Sequence, residues 1–172
     1  EGRALHRRIA RGGRVMPETS HETLHGTAIA WNGEAVLLSG APGSGKSDLA
    51  WRILENDPAA RLVGDDRLEW QVEGGALWLS APETLAGLIE IRGLGILTLP
   101  YAPKARLRLL IELVSRAEVP RLPLPAFREV ESVPVPLLRL HAFDASAPAK
   151  VALALASIGL SGFPGPDGRL SR

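Results

Sequence analysis

Gly40-Ala41-Pro42-Gly43-Ser44-Gly45-Lys46-Ser47 is the stretch on which the fold turns. It follows the pattern G-x-x-x-x-G-K-S, the signature of a loop that wraps a phosphate. Glycine adopts positive φ at little cost and lets backbone N–H groups approach phosphate oxygens closely. A helix beginning near Lys46 adds unpaired N–H donors and the positive end of its dipole. Lys46 can reach the β- and γ-phosphates, and the Ser47 hydroxyl is a hard oxygen ligand for Mg²⁺. Gly40, Ala41, Pro42, Gly43, Ser44, Gly45, Lys46 and Ser47 together form the nucleotide-binding set.

The flanks agree with that reading. Thr27–Trp31 and Glu34–Ser39 are short apolar runs separated by Asn32-Gly33, and Asn-Gly is the dipeptide of the two-residue hairpin turn. The second run leads into the loop. Beyond it, Leu49, Ala50, Ile53 and Leu54 recur at helical spacing from Lys46 to Asn56, stopped by Asp57-Pro58. Strands are expected at Arg61–Gly64, Leu68–Val72 and Leu77–Leu79, and a further apolar run spans Leu88–Leu99, broken at Gly93 and Gly95. Ala105–Val114 reads as a strand with Arg106 and Arg108 on one face and Leu107 and Leu109 on the other. The proline-rich stretch from Ser115 to Pro136 reads as irregular connection, Val135–Phe143 as a last strand, and Pro148–Ile158 as a helix. The sum is a mixed, β-rich α/β domain.

Composition narrows the function. With 172 residues, 45% hydrophobic content and a net charge of +1, the chain fits one globular domain and carries no charge signal for nucleic acid or a membrane surface. No apolar run reaches the ~18 residues of a membrane span. Cysteine is absent, which excludes disulfides, zinc-thiolate sites and thiol nucleophiles and suits a cytoplasmic setting. Arg3, Arg7, Arg8, Arg11 and Arg14 mark residues 1–15 as a disordered leader or extension, residues 16–160 as the catalytic domain, and the Gly/Pro-rich 161–172 as a flexible tail.

A phosphate loop that supports chemistry also needs acids, one to help hold Mg²⁺ and one to act as base. Leu62-Val63-Gly64-Asp65-Asp66 supplies a pair after an apolar run. On a regular strand the two would point to opposite faces, and spacing does not choose between them. In Leu88-Ile89-Glu90-Ile91-Arg92, Glu90 and Arg92 would share one strand face, either as metal ligand and transition-state cation or as a solvated charge pair. His25 precedes Gly26 and the hairpin. His6, His21 and His141 have no constellation around them in sequence.

Taken together, His25-Gly26, the loop Gly40–Ser47, Leu62-Val63-Gly64-Asp65-Asp66-Arg67 and Ile89-Glu90-Ile91-Arg92-Gly93-Leu94-Gly95-Ile96 resemble the catalytic domain of the HPr kinase/phosphorylase family. The resemblance implies the P-loop kinase fold related to phosphoenolpyruvate carboxykinase, and ATP and Mg²⁺ as cofactors. It implies phosphoryl transfer to a serine of the phosphocarrier HPr, with reverse phosphorolysis using inorganic phosphate and yielding pyrophosphate, in a homo-oligomer of hexameric type. It implies Asp66 as base, Lys46 and His25 at the transferring phosphate, Ser47 and Glu90 as metal ligands, and Arg92 and Arg121 as catalytic arginines; Asp65, the other acid of the pair, is a further candidate metal ligand. The chain departs from full-length members in having no room for their extra N-terminal domain, which matches the short form. It also reads Ala145-Ser146-Ala147-Pro148-Ala149-Lys150 where they have a Pro-x-x-Pro-Gly-Arg-like segment tied to dephosphorylation. Lysine lacks the bidentate fork of arginine, so the kinase direction is better supported than the phosphorylase direction. The competing readings are a P-loop kinase or NTPase with a small-molecule substrate and a non-catalytic ATP-sensing module.

Overall fold

The structure is a computed structural model and describes residues 23–161. The leader expected at 1–15 and nearly all of the tail expected at 161–172 lie outside the described residues. The chain enters as β1 (Thr23–His25), passes Gly26 and continues as β2 (Thr27–Trp31). Asn32 and Gly33, at φ 51° and 81°, then form the hairpin turn to β3 (Glu34–Ser39). After the phosphate loop comes α1 (Lys46–Asn56), which buries Leu49, Ala50 and Ile53. The chain proceeds through β4 (Ala60–Gly64), β5 (Arg67–Glu73) and β6 (Ala76–Ser80) to a small hairpin of β7 (Leu88–Ile91) and β8 (Gly95–Thr98). It ends in β9 (Ala105–Leu113), β10 (Phe127–Val130), β11 (Val133–Leu140) and α2 (Ala147–Ser161).

Nine of these strands form one sheet, ordered β1-β5-β6-β9-β3-β2-β4, with β11 paired to β9 and β10 to β11. Since β1 runs on into β2 and β4 almost directly into β5, this order curls the sheet back on itself. Two cores result. Alternation in β2 sends Ala28 and Ala30 inside the curl and Ile29 outward, and β3 does the same with Ala35 and Leu37 against Val36 and Leu38. The inner core adds Val63, Leu68, Leu77 and Leu79. The outer one is closed by α1, α2 and Ile89, and each fully buried Leu or Ile contributes about 1.5–3 kcal/mol.

Two expectations are corrected here. The alternation of β9 does not hold throughout: Ala35 pairs with Leu107 but Val36 with Leu109, so Arg108 is the extra residue of a β-bulge. Leu107 therefore packs inside the curl, and Leu109 packs on the helix side. The stretch 115–136 is also not wholly irregular, since β10 pairs antiparallel with β11. Its turn uses Glu131 and Ser132 in the left-handed region, at φ 48° and 62°. The usual Gly or Asn is absent, so no turn signal marks the hairpin. Pro134 and Pro136 lie in the half of β11 that pairs with β10 alone, which fits the confinement of proline to strand edges.

Candidate active site

Strands β9 and β11 run parallel to β3, and β4 does too, because β2 is antiparallel to both β3 and β4. Four carboxyl ends thus meet at one edge of the sheet, the place where α/β sheets bind ligands. β3 delivers the phosphate loop, β4 the acids Asp65 and Asp66, β9 the segment from Val114, and β11 the segment from His141. The antiparallel β2 begins at the same edge, which places His25 and Gly26 there. Gly26 is there for want of space: a Cβ would sit 2.6 Å from the Leu38 carbonyl oxygen.

The loop has the backbone its sequence demands. Gly43 and Gly45 hold φ 80° and 91°, and Gly45 caps α1, with the Leu49 N–H donating to the Gly45 carbonyl. A Cβ on Gly45 would meet the Ala142 Cβ at 2.8 Å, so this glycine also permits the β11–α2 connection to press on the loop. The Lys46 ammonium donates to the carbonyls of Gly40 and Ala41, at 3.0 and 3.1 Å. The Ser44 hydroxyl is buried and has no hydrogen-bond partner among the described residues, as expected of a group whose partner is a ligand.

Asp65 organises the side of the loop that faces β4. Its Oδ1 accepts from the Ser47 hydroxyl at 2.8 Å and from the Thr27 hydroxyl at 2.7 Å, and its Oδ2 accepts from the Glu90 backbone N–H at 3.1 Å. Charge-assisted hydrogen bonds of this kind are each worth about 1.5–3 kcal/mol. The choice that spacing left open is thereby made: it is Asp65 that faces the loop. Asp66 is exposed and left-handed, at φ 64°, with its backbone carbonyl accepting from the Gly26 N–H. Among the described residues no ready cage of three His, Cys, Asp or Glu side chains exists. A hydroxyl and a carboxylate beneath a phosphate loop nevertheless fit Mg²⁺, which takes one or two carboxylates and fills its shell with phosphate oxygens and water.

Glu90 reaches this cluster through its backbone, with its side chain exposed. Arg92 does not share a strand face with it, because β7 stops at Ile91. Arg92-Gly93-Leu94 is the hairpin loop, with Gly93 at φ 88° and the Leu94 N–H returned to the Ile91 carbonyl. His25, Asp66, Glu90 and Arg92 are all exposed. Arg121 is exposed too, in the segment between β9 and β10, and none of the contacts described above involves it.

The sequence reading missed three participants. Thr27 is fully buried yet spends its hydroxyl on Asp65, and a threonine opening an apolar strand carries no signal of that. His141 and Phe143 line a cleft of about 390 Å³ beside Ala41–Ser44, Leu113 and Glu118. Another cavity of about 260 Å³, by Asp57, Arg61 and Pro100, lies at the opposite end of β4. No helix among the described residues is long and apolar enough to cross a membrane.

Residues 18–120 match the family described as HPr serine kinase C-terminal domain. An HPr kinase/phosphorylase from Brevibacillus brevis is 41% identical over 87 residues, which is 50% of this chain and 26% of that protein. One from Xylella fastidiosa is 42% identical over 80 residues, 46% of this chain and 25% of the relative. The match thus spans about a quarter of these curated relatives. The structure of the HPr(Ser) kinase/phosphatase from Coxiella burnetii superposes with a TM-score of 0.66 at 26% identity, covering 76% of this chain and 86% of that one.

Proposed function

The chain belongs to the HPr serine kinase C-terminal domain family, and on that premise we propose that it transfers the γ-phosphoryl group of ATP to a serine of an HPr-type phosphocarrier protein. The observation that carries the proposal is the Ser47–Asp65 contact beneath the phosphate loop. It couples the metal position to the loop, as phosphoryl transfer requires. Ser47 and Asp65 would hold Mg²⁺, with Glu90 alongside, and the ion would supply neutralisation of phosphate charge.

The protein's own groups divide the remaining work. Lys46 leaves the two loop carbonyls for the phosphates, and His25 and Arg92 flank the transferring group. Asp65 is committed to three hydrogen bonds, whereas Asp66 is exposed beside it and takes the proton of the serine hydroxyl. The serine oxygen bonds to the γ-phosphorus as the β–γ bridging bond breaks and ADP leaves. In the phosphorolytic direction an oxygen of inorganic phosphate bonds to the phosphorus of phosphoserine as the bond to the serine oxygen breaks; pyrophosphate leaves, and protonated Asp66 gives its proton to the serine oxygen. Arg121 serves the same transfer as a further cation. The exposure of His25, Asp66, Glu90 and Arg92 leaves the acceptor side open, which suits a serine carried on a protein surface.

The test is incubation with HPr, Mg²⁺ and γ-labelled ATP. Mg²⁺-dependent label on HPr is expected. Release of free labelled phosphate without any label on HPr would replace this reading with that of an NTPase.

A further inference from the structure

We infer that the cleft between the ends of β9 and β11 is the nucleoside subsite, in which the base of the bound nucleotide stacks on Phe143. The inference rests on the reading of Gly40–Ser47 as the phosphate cradle, and it specifies where the rest of the nucleotide lies. The sheet edge has two sides relative to the loop. On the β4 side stand Asp65, Asp66 and Glu90, three acids that receive the metal and the acceptor. On the β9 and β11 side the loop itself forms one wall of a cleft of about 390 Å³, the size of a small-ligand site.

The lining is that of a nucleoside site. Phe143 is 58% exposed although it touches the loop, where a Cβ on Gly45 would lie 3.0 Å from its ring. It also meets His141 edge to face, with centroids 5.7 Å apart. An aromatic face left open beside a phosphate loop is a stacking platform. The polar groups around it point to a donor-bearing ligand. The His141 Nδ1–H donates to the Val114 carbonyl at 3.0 Å, which leaves Nε2 as an acceptor. Glu118 uses one carboxylate oxygen to accept from the Ser115 N–H and hydroxyl and keeps the other for ribose hydroxyls or a base amine. Its negative charge disfavours a further phosphate at this position.

The walls are also held in place before any ligand arrives. Arg116 bridges to Asp144 at 2.5 Å, tying the segment after β9 to the segment after β11. The Arg52 guanidinium of α1 donates to the Ala142 carbonyl. A platform fixed in this way loses little freedom on binding.

The test compares ATP with inorganic tripolyphosphate, which has the phosphates and no nucleoside, by calorimetry in Mg²⁺. Wild-type protein should bind ATP more tightly. Phe143→Ala should weaken ATP on the order of tenfold, the effect of losing one base–aromatic stack, and leave tripolyphosphate within twofold. Phe143→Tyr should restore ATP binding. Equal weakening of both ligands would overturn the subsite and make Phe143 a prop for Gly45, and no weakening of either would place the base elsewhere. Failure of the wild type to bind either ligand would overturn the phosphate cradle and the subsite together.

Discussion

Replacing Asp66 by Asn removes a carboxylate and little else. Its side chain is exposed, and the residue sits at φ 64°, a region that Asn tolerates as well as Asp does. Its structural hydrogen bond uses the backbone carbonyl, which accepts from the Gly26 N–H at 3.2 Å and survives the change. Stability should therefore stay within about 0.5 kcal/mol of wild type. Mg²⁺–ATP affinity should also hold, since Ser47 and Asp65 are untouched. On the proposed mechanism, what disappears is the proton acceptor for the incoming serine, and general-base catalysis is worth about 10²–10⁴-fold. At ~1.36 kcal/mol per decade this raises the barrier by roughly 2.7–5.4 kcal/mol. The assay is the initial rate of label transfer from γ-labelled ATP to HPr at saturating nucleotide, beside calorimetric ATP affinity and a urea unfolding curve. A transfer rate within threefold of wild type would refute the assignment of Asp66 as base. So would a slow variant whose ATP affinity or stability had fallen in proportion.

Other perturbations probe separate parts of the site and fold. Lys46→Ala removes the ammonium now held by Gly40 and Ala41 and should lower both ATP affinity and transfer rate; unchanged affinity by calorimetry would exclude its phosphate contact. Gly26→Ala drives a Cβ to 2.6 Å from the Leu38 carbonyl and should cost about 1–3 kcal/mol in urea unfolding, whereas a neutral result would mean that the β1–β2 junction yields freely. Trp31→Phe deletes the 2.7 Å hydrogen bond from the indole N–H to Asp57. That bond, with help from the Ala59 N–H, holds the Asp57 carboxyl below its ordinary value of 3.8. A depressed carboxyl contributes stability above 3.8 and loses it as pH falls through the lower folded-state value. The variant should thus melt lower than wild type at neutral pH, with the gap narrowing in acid; a gap independent of pH would assign the loss to packing.

Much of this architecture was legible because its signals are local. Asn32-Gly33 carries its turn chemistry in two residues, and the spacing of Leu49, Ala50 and Ile53 locates α1 to the residue. The glycines at 40, 43 and 45 announce the loop. Where the signal is non-local the reading failed. The Arg108 bulge is imposed by pairing with β3, and nothing in the run Arg106-Leu107-Arg108-Leu109 marks it. The β10–β11 hairpin turns on Glu131-Ser132, residues that seldom take positive φ. Asp65 and Asp66 are adjacent and identical in type, so only the bend after Gly64, with Asp66 left-handed, separates the acid that faces Ser47 from the one that faces solvent. His141 and Phe143 reach the loop solely because β11 lies beside β9, and strand order is not written in either segment.

The most direct test of the central claim is phosphoamino-acid analysis of HPr after incubation with this chain, Mg²⁺ and γ-labelled ATP, with an HPr whose acceptor serine is replaced by alanine as the comparison. Label is expected on serine of the first HPr and none on the second. Label on both, or an unlabelled HPr in the presence of folded, ATP-binding protein, would contradict it.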